Sequence, residues 1–500
     1  MSFAYGNMSP RQTWQPLPSD QWNTDTAAHL LRRIGFSARP ADVQQAVNVG
    51  LQATVKDAFK GREFDVPTKT WEAELEIQHL RRGMRNQDEK TRQELQKKIQ
   101  RAEREAFSEF AMAWFDFARQ PENSAQEKYV LFLESMFVVA HSKVKRGGVL
   151  YEHQNLLRRE GFGSYRDLAK SVSRSPAMIQ YLDLNRSVKG TPNENFAREL
   201  MELFTLGEGN YTEQDVKEAA RAFTGYNYTG NTDYYFSEFR FNPHSYDDGP
   251  KTVFGRTGRW NGDEIIEMVF EQPGAKLFLP RELCLFYLSE TPVPDLYLDY
   301  LGDEWAKRDF DQRWLLQTVF TSQLFFAPEF RGELIKSPIH YYIGLCQDMN
   351  LDIYPVPQRL EGQLRSMGQS FQNPPNVRGW LGGKHWITAS SLSARQQLVR
   401  NLLYPPNEKR LNADEKMRIE EAIEDDKGPF HVDQERLEPL LNKDSPDLIN
   451  HLCRYFLPKE QTEEFKEQLI VHVRVPPRQR SERVRQALLA LLQSPAYQLS

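Results

Sequence analysis

Pro192-Asn193-Glu194-Asn195-Phe196-Ala197-Arg198-Glu199-Leu200-Met201-Glu202-Leu203 reads as one helix. Pro192 and Asn193 suit a helix start, because proline fixes φ and asparagine can accept from free N–H groups. Phe196, Leu200 and Leu203 then recur at helical spacing and make one apolar face. Asn195, Arg198, Glu199 and Glu202 fall at spacings of three and four on the neighbouring strip. One apolar face beside one charged strip is the pattern of a helix at the edge of a helical body.

The same period continues upstream. Thr24 to Ile34 places Ala27, Leu30, Leu31 and Ile34 on one side and stops at Gly35, and a short helix follows from Arg39-Pro40-Ala41-Asp42 to Gly50. Lys128 to Ala140 and Tyr151 to Arg159 read as further helices. Ser164 stands where it would cap Tyr165 to Ser173, and Ser175-Pro176 ends that helix and starts Ala177 to Leu182. Between Trp71 and Ala118 the pattern changes. Arg81 to Glu105 is rich in charged and amide side chains, with few apolar residues and no proline, which predicts a charged helical arm whose two ends pack on the core. Such a run is ordinarily a solvated face; the alternative is a partner-binding arm.

Downstream, Tyr228, Tyr234, Tyr235, Phe236, Phe239 and Phe241 alternate loosely with polar residues, broken by Gly230-Asn231 and Asn242-Pro243. A small hairpin or ordered loop is expected over 226–262. Helices resume at Gly262, a Pro- and Gly-rich loop runs from Gln372 to Trp386, and the tail from Asn407 is charged and helical. The expected fold is therefore mainly α. A polar N-terminal segment (1–23) precedes a multi-helix globular body (24–404) that carries the protruding charged arm (71–118) and the small β-like insertion (226–262). A charged helical segment (405–500) packs on that body.

Composition narrows the class. With 39% apolar residues, 30 Phe, 20 Tyr and 9 Trp in 500 residues, the chain can bury a large core. Its 64 basic and 69 acidic residues leave a net charge of -5, so no electrostatic argument favours nucleic acid or an anionic membrane. Cys284, Cys346 and Cys453 are far apart and read as reduced, buried thiols. No run of about 18 apolar residues predicts a membrane span. Met1 to Asp20 lacks a basic start followed by an apolar run, so a cytoplasmic protein is the expectation.

Several segments, taken in order, carry a resemblance. They are Ala28-His29-Leu30-Leu31-Arg32-Arg33-Ile34-Gly35-Phe36, Gln154-Asn155 with Leu157-Arg158, Tyr165-Arg166-Asp167-Leu168, Ser175-Pro176-Ala177-Met178 and, most specific, Pro192 to Leu203 with Thr205-Leu206-Gly207. Ala219-Ala220-Arg221-Ala222, Thr224-Gly225-Tyr226, Gly249 to Gly255, Gly379-Trp380 and the Ser494-Pro495 ending complete the set. Together they resemble the bacterial domain of unknown function 1800 family over nearly the whole chain. The resemblance settles neither an activity nor a cofactor. Members of that family are often neighbours of a second family similar to alkaline phosphatases and sulfatases, which implies a phosphatase/sulfatase-like partner and, if that partner is exported, co-export with it. Many relatives carry Trp-His-x-His-Phe where this chain has Leu133-Glu134-Ser135-Met136-Phe137, and Leu-His-Thr-Leu-Gly where it has Leu203-Phe204-Thr205-Leu206-Gly207. Any site built from those histidines is lost here.

Candidate chemistry centres on Glu194, Arg198, Glu199 and Glu202. Two carboxylates with a guanidinium between them could position an acid and a base or bind a divalent cation; the competing reading is an ion-pair ladder or a polar network locking helices. His153 could serve as a general base or be a satisfied structural residue. Asn193 and Asn195 could contact a substrate, and Lys251 with the turn at Gly249 could bind an anion, although the P-loop spacing is missing. Trp380 and Trp386 flank Gly382-Gly383 and could line a pocket or simply cover the core. No motif assigns a nucleophile, a metal set or a cofactor. Two functions remain open: a binding or assembly partner, with the arm as its docking element, and an enzyme of unknown, perhaps hydrolytic and metal-assisted, reaction.

Overall fold

The computed structural model describes residues 6, 8–84, 87–230, 236–405, 411–474 and 480–500. Several of its helices begin where a short polar side chain takes up the first free N–H groups. Asn23, Thr212, Asn261, Thr388 and Asn412 each form a reciprocal cap with the side chain three residues on. Proline stands in the first turn of the helices Pro40–Val49, Pro121–Met136, Pro176–Tyr181, Pro338–Asp348 and Pro357–Ser366, where its missing N–H costs nothing. The architecture is mainly α, as the periodicity predicts.

The helix Pro121–Met136 is the hub, buried on nearly every side although Asn123, Gln126, Glu127 and Lys128 lie along it. A helix sunk this deeply must satisfy its polar groups from neighbours. Gln126 Nε2 donates to the Arg62 carbonyl at 2.7 Å. Lys128 Nζ donates to the carbonyls of Arg33 at 2.7 Å and Gly35 at 2.9 Å, at the C-terminal end of the helix Thr24–Ile34. That end carries unpaired carbonyls and partial negative charge, so a lysine there replaces solvent. Burial and the Arg33 guanidinium push the Lys128 ammonium well below the ordinary lysine range.

The arm is an antiparallel pair of helices, Thr68–Gly83 and Glu89–Arg119; Arg85 and Asn86 lie outside the described residues. The longer helix spans about 46 Å at 1.5 Å per residue. Its outer part closes on a small core of its own, Ile77, Ile99 and Ala102, with Leu80 and Met84 packed against it. Its inner part enters the main core through Phe110, Trp114 and Phe115. At the root, Gly147 meets the arm so closely that a Cβ would stand 2.5 Å from the Phe107 nitrogen.

The β-like insertion contains two short antiparallel pairs. Tyr226–Tyr228 pairs with Phe239–Phe241, Tyr226 opposite Phe241, and Lys251–Val253 pairs with Arg256–Gly258. Asn231, Tyr234 and Tyr235 lie outside the described residues, as do 407–410 of the tail. The tail is helical at Ala413–Glu424, Gln434–Leu441, Ser445–Phe456, Glu463–Val473 and Arg480–Gln493. One apolar cluster runs from Trp14 to Tyr497, so the tail shares the core of the body. No helix among the described residues is long and apolar enough to cross a membrane.

Candidate functional site

The Asn193–Leu203 strip begins as an α-helix, Asn195–Glu199, and changes at Leu200 into a π-helical stretch, Leu200–Thr205. One residue is thereby inserted into the turn, a distortion common at functional positions. Phe196, Ala197, Leu200, Met201 and Phe204 are buried beneath it. Asn193 Oδ1 accepts from the Asn195 N–H at 2.9 Å, and the Asn193 N–H donates to Ser187 Oγ at 3.0 Å. Asn193 thus organises the helix start, and Asn195 is exposed beside it.

The charged strip divides into two halves. Arg198 donates two 2.7 Å hydrogen bonds to Glu213 and one of 3.3 Å to Glu194. Its side chain is about one-third exposed, so this half is a surface ladder. In the other half, Glu202 accepts from Tyr211 Oη and from Arg378 Nη2, each at 2.7 Å, and Arg378 also reaches Glu208 at 2.7 Å. Glu199 lies between the halves, half-buried. Partial burial, then the neighbouring Glu202 carboxylate, raise it above the ordinary carboxylate range.

Arg378 belongs to the loop Gln372–Trp386, so it fastens that loop across the π-helical stretch. Gln372 and Asn373 fix the start of the loop: the Gln372 carbonyl accepts from the His141 N–H at 2.8 Å and Asn373 Oδ1 from the Ser142 N–H at 3.0 Å. Gly379, Gly382 and Gly383 all have positive φ, and a Cβ at Gly383 would stand 2.5 Å from the Glu290 carboxyl carbon. Positive φ is what favours glycine there, since the end of the flexible Glu290 side chain can move aside. Trp380 is half-buried, Trp386 is buried, and Leu381 is 76% exposed. Sequence spacing could not find Arg378, since its carboxylate partners lie far away in the chain.

The other candidates sit elsewhere. His153 is buried, with Nδ1 2.8 Å from Ser175 Oγ and Nε2 3.2 Å from the Phe137 carbonyl. A carbonyl only accepts, so Nε2 carries the proton and Nδ1 accepts from the serine. Burial lowers its pKa to about 4. Lys251 is buried as well, its ammonium donating to the carbonyls of Asp247 at 2.6 Å and Gly249 at 3.0 Å and lying over the Tyr246 ring. It closes its own turn.

Phe204 packs on Phe137 with ring centroids 5.2 Å apart, and Met136 is buried alongside. Glu134 accepts from Gln154 at 3.1 Å and Gln372 at 2.7 Å, and burial pushes its carboxyl up to about 7. Gln154 Oε1 also accepts from Arg158, which is paired with Glu127. A buried polar network thus runs from the hub helix to the anchored loop. Among the described residues, no group of three or more His, Cys, Asp or Glu side chains is placed to hold a metal ion.

Residues 29–499 match the model of a family described as "Protein of unknown function (DUF1800)". No curated protein matches the chain, and no solved structure does.

Proposed function

Because the chain belongs to the DUF1800 family, whose description names no activity, we propose from the site alone that it is a binding or assembly protein. The partner docks where the anchored loop crosses the acidic strip. The observation that supports this reading is the exposure of Leu381, 76% free, on a loop held down by Arg378 and shaped by three positive-φ glycines. A fixed loop that presents a large apolar side chain loses little entropy on binding, which is what an interface anchor needs. Arg378, in the same loop, holds Glu202 and Glu208, and the neighbouring strip carries Glu194, Glu199 and Glu213 against Arg198, an acidic surface that suits a partner with basic side chains. The partner class is the phosphatase/sulfatase-like neighbour implied by the family resemblance, met in the cytoplasm or exported together with it.

The test is co-elution of the full chain with that purified neighbour on size exclusion. Leu381→Asp is expected to abolish the complex, and Leu75→Asp, on the arm, to leave it intact. Equal binding by Leu381→Asp would sink the loop as the docking element, and loss in Leu75→Asp alone would move docking to the arm.

A second reading has its own observation. Glu199 has a raised carboxyl and receives no hydrogen bond among the described residues, which suits a proton donor beside the held Glu202. In that case the chain is an enzyme whose reaction is unknown, with a hydrolytic, divalent-metal-assisted step as one candidate. Elemental analysis of the parent beside Glu199→Ala, Glu202→Ala separates the two readings: near-stoichiometric metal lost in the variant supports the enzyme, and none in either supports the binding protein.

A further inference from the structure

The outer half of the arm is basic, although the chain as a whole is acidic. Residues 90–104 carry six basic and two acidic side chains in a chain whose net charge is -5. On the helix Glu89–Arg119, Lys90, Lys97, Arg101 and Arg104 follow at spacings of seven, four and three. They therefore fall within about 60° of one another around the helix axis. All four are exposed, opposite the side that buries Ile99, Ala102 and Ala106. None of the four has an ion-pair partner among the described residues, although Glu94 and Glu105 stand beside the stripe. The stripe is about 21 Å long at 1.5 Å per residue.

The complementary charge lies at the root of the same arm. Residues 413–426 carry seven acidic and two basic side chains. In the helix Ala413–Glu424, Glu415 and Ala422 are buried, while Asp414, Glu420 and Glu424 are exposed and Met417 is 52% exposed. Met417, Glu420 and Glu424 step by three and four, so they share one outward face with Asp414 at its edge. Asp414, Glu420 and Glu424 have no ion-pair partner among the described residues. The helix is fastened to the inner arm: Arg418 reaches Glu109 at 3.2 Å, Glu421 lies 3.9 Å from Lys69, and Lys427, just beyond the helix, reaches Asp116 at 2.7 Å.

One chain cannot bring the stripe onto this face. The helix Glu89–Arg119 is continuous, so Arg101, Lys97 and Lys90 stand about 12 to 28 Å further out along it than Glu109, where the acidic helix is anchored. A second copy can. Stripe and acidic face lie along one arm at a fixed offset, so two arms laid antiparallel bring each stripe to the other's acidic face. A single two-fold operation then satisfies both pairings at once. Met417 meets the methylene stems of the opposing lysines and arginines, which cover apolar surface while their charged heads reach the carboxylates. From this match of stripe and face we propose that two copies of the chain associate arm to arm, Lys90 to Arg104 of each against Asp414 to Glu424 of the other. Exposed charges carry the contact, so it weakens with salt.

The experiment is sedimentation velocity on the full chain in about 0.05 M and about 1 M salt. A dimer is expected in the low salt and a monomer in the high. The double variants Lys97→Glu, Arg101→Glu and Glu420→Lys, Glu424→Lys change exposed residues only, and each alone should weaken the dimer at least about 10-fold. Their equimolar mixture should dimerise again, because the reversed stripe then meets the reversed face and the native stripe meets the native face. Leu381→Asp lies outside both faces and should dimerise like the parent, so failure of the loop-docking reading and failure of this one are distinguishable. A parent that is monomeric in low salt, a dimer indifferent to both reversals, or a mixture that stays monomeric would each overturn the proposal. A monomeric parent that retains an oligonucleotide through the stripe would overturn it in favour of that occupant.

Discussion

Arg158 and Glu127 face each other through two parallel hydrogen bonds, Nε to Oε1 at 2.8 Å and Nη2 to Oε2 at 2.6 Å, with side chains only 2% and 0% exposed. Trp114 Nε1 completes the shell on Glu127 at 2.7 Å, and the Phe64 ring lies 5.0 Å from the guanidinium. The pair joins the hub helix to Gly147–Glu160. Removing one member strands a buried charge, which costs far more than the pair itself contributes. Arg158→Met is expected to lose about 3–5 kcal/mol, read from urea unfolding, and Glu127→Gln added to it should restore part of the loss. A single-variant loss below about 1 kcal/mol, the scale of an exposed pair, would contradict this account.

Glu134 makes stability depend on pH. Its folded-state pKa is raised to about 7 from an ordinary 4.5, so the folded chain holds its proton after the unfolded chain has released it. The favourable contribution is complete below the unfolded value and is lost as pH rises to the folded one. Glu134→Gln, which keeps an oxygen to accept from Gln154 and Gln372, is therefore expected to match the parent near pH 4 and to exceed it by about 2 kcal/mol at pH 8, allowing for solvent reaching part of the side chain. A difference independent of pH between 4 and 8 would refute the shift.

Two glycines should respond in opposite directions. A Cβ at Gly147 would meet arm backbone at 2.5–2.8 Å, whereas at Gly83 nothing lies within 4 Å. Gly147→Ala is expected to lose about 1–3 kcal/mol by overpacking the arm root. Gly83→Ala, in the last turn of its helix, should gain about 0.5 kcal/mol by stiffening the unfolded chain. Thermal melts of both variants check the pair of signs.

The three thiols should be inert in the folded chain. Burial pushes Cys284 and Cys346 up to about 12 and Cys453 to about 11, and the thiolate is the reactive form. Titration with a thiol reagent at pH 8 is expected to show no fast labelling until denaturant is added. Fast native labelling of Cys284 or Cys346 would show that the core opens around them.

Arg378→Ala tests the loop anchor. Its bonds to Glu202 and Glu208 are half exposed, so the loss of global stability should stay below about 1 kcal/mol. Release of the Gln372–Trp386 loop should instead appear as faster proteolytic cleavage within it. An unchanged cleavage rate would mean that the glycine geometry and the Gln372–Asn373 contacts hold the loop without Arg378.

Much of the helical framework was legible because its signals are local. The charged run at 81–105 announced the arm, Ser175-Pro176 announced a corner, and Tyr226 to Gly262 announced its β character. Ser164 shows the limit of such reading: it stands at the start of Tyr165–Ser173 but makes no side-chain cap bond. Likewise, a helix expected over Lys128 to Ala140 runs from Pro121 to Met136, because tertiary burial lets polar Asn123, Gln126 and Glu127 join the interior once partners from elsewhere satisfy them.

The sequence by itself determined the helical class, the family and the strip Asn193 to Leu203, since periodicity, capping residues and ordered motifs are properties of neighbours along the chain. Only the tertiary structure decided what each charge does. Glu199 and Glu202 share a strip with Arg198, yet Arg198 turns to Glu213 and it is Arg378, from a distant loop, that holds Glu202. His153 and Lys251 have their donors and acceptors occupied by buried neighbours. A side chain's protonation and freedom depend on the solvent and partners around it in space, and these are set by contacts that carry no local signal.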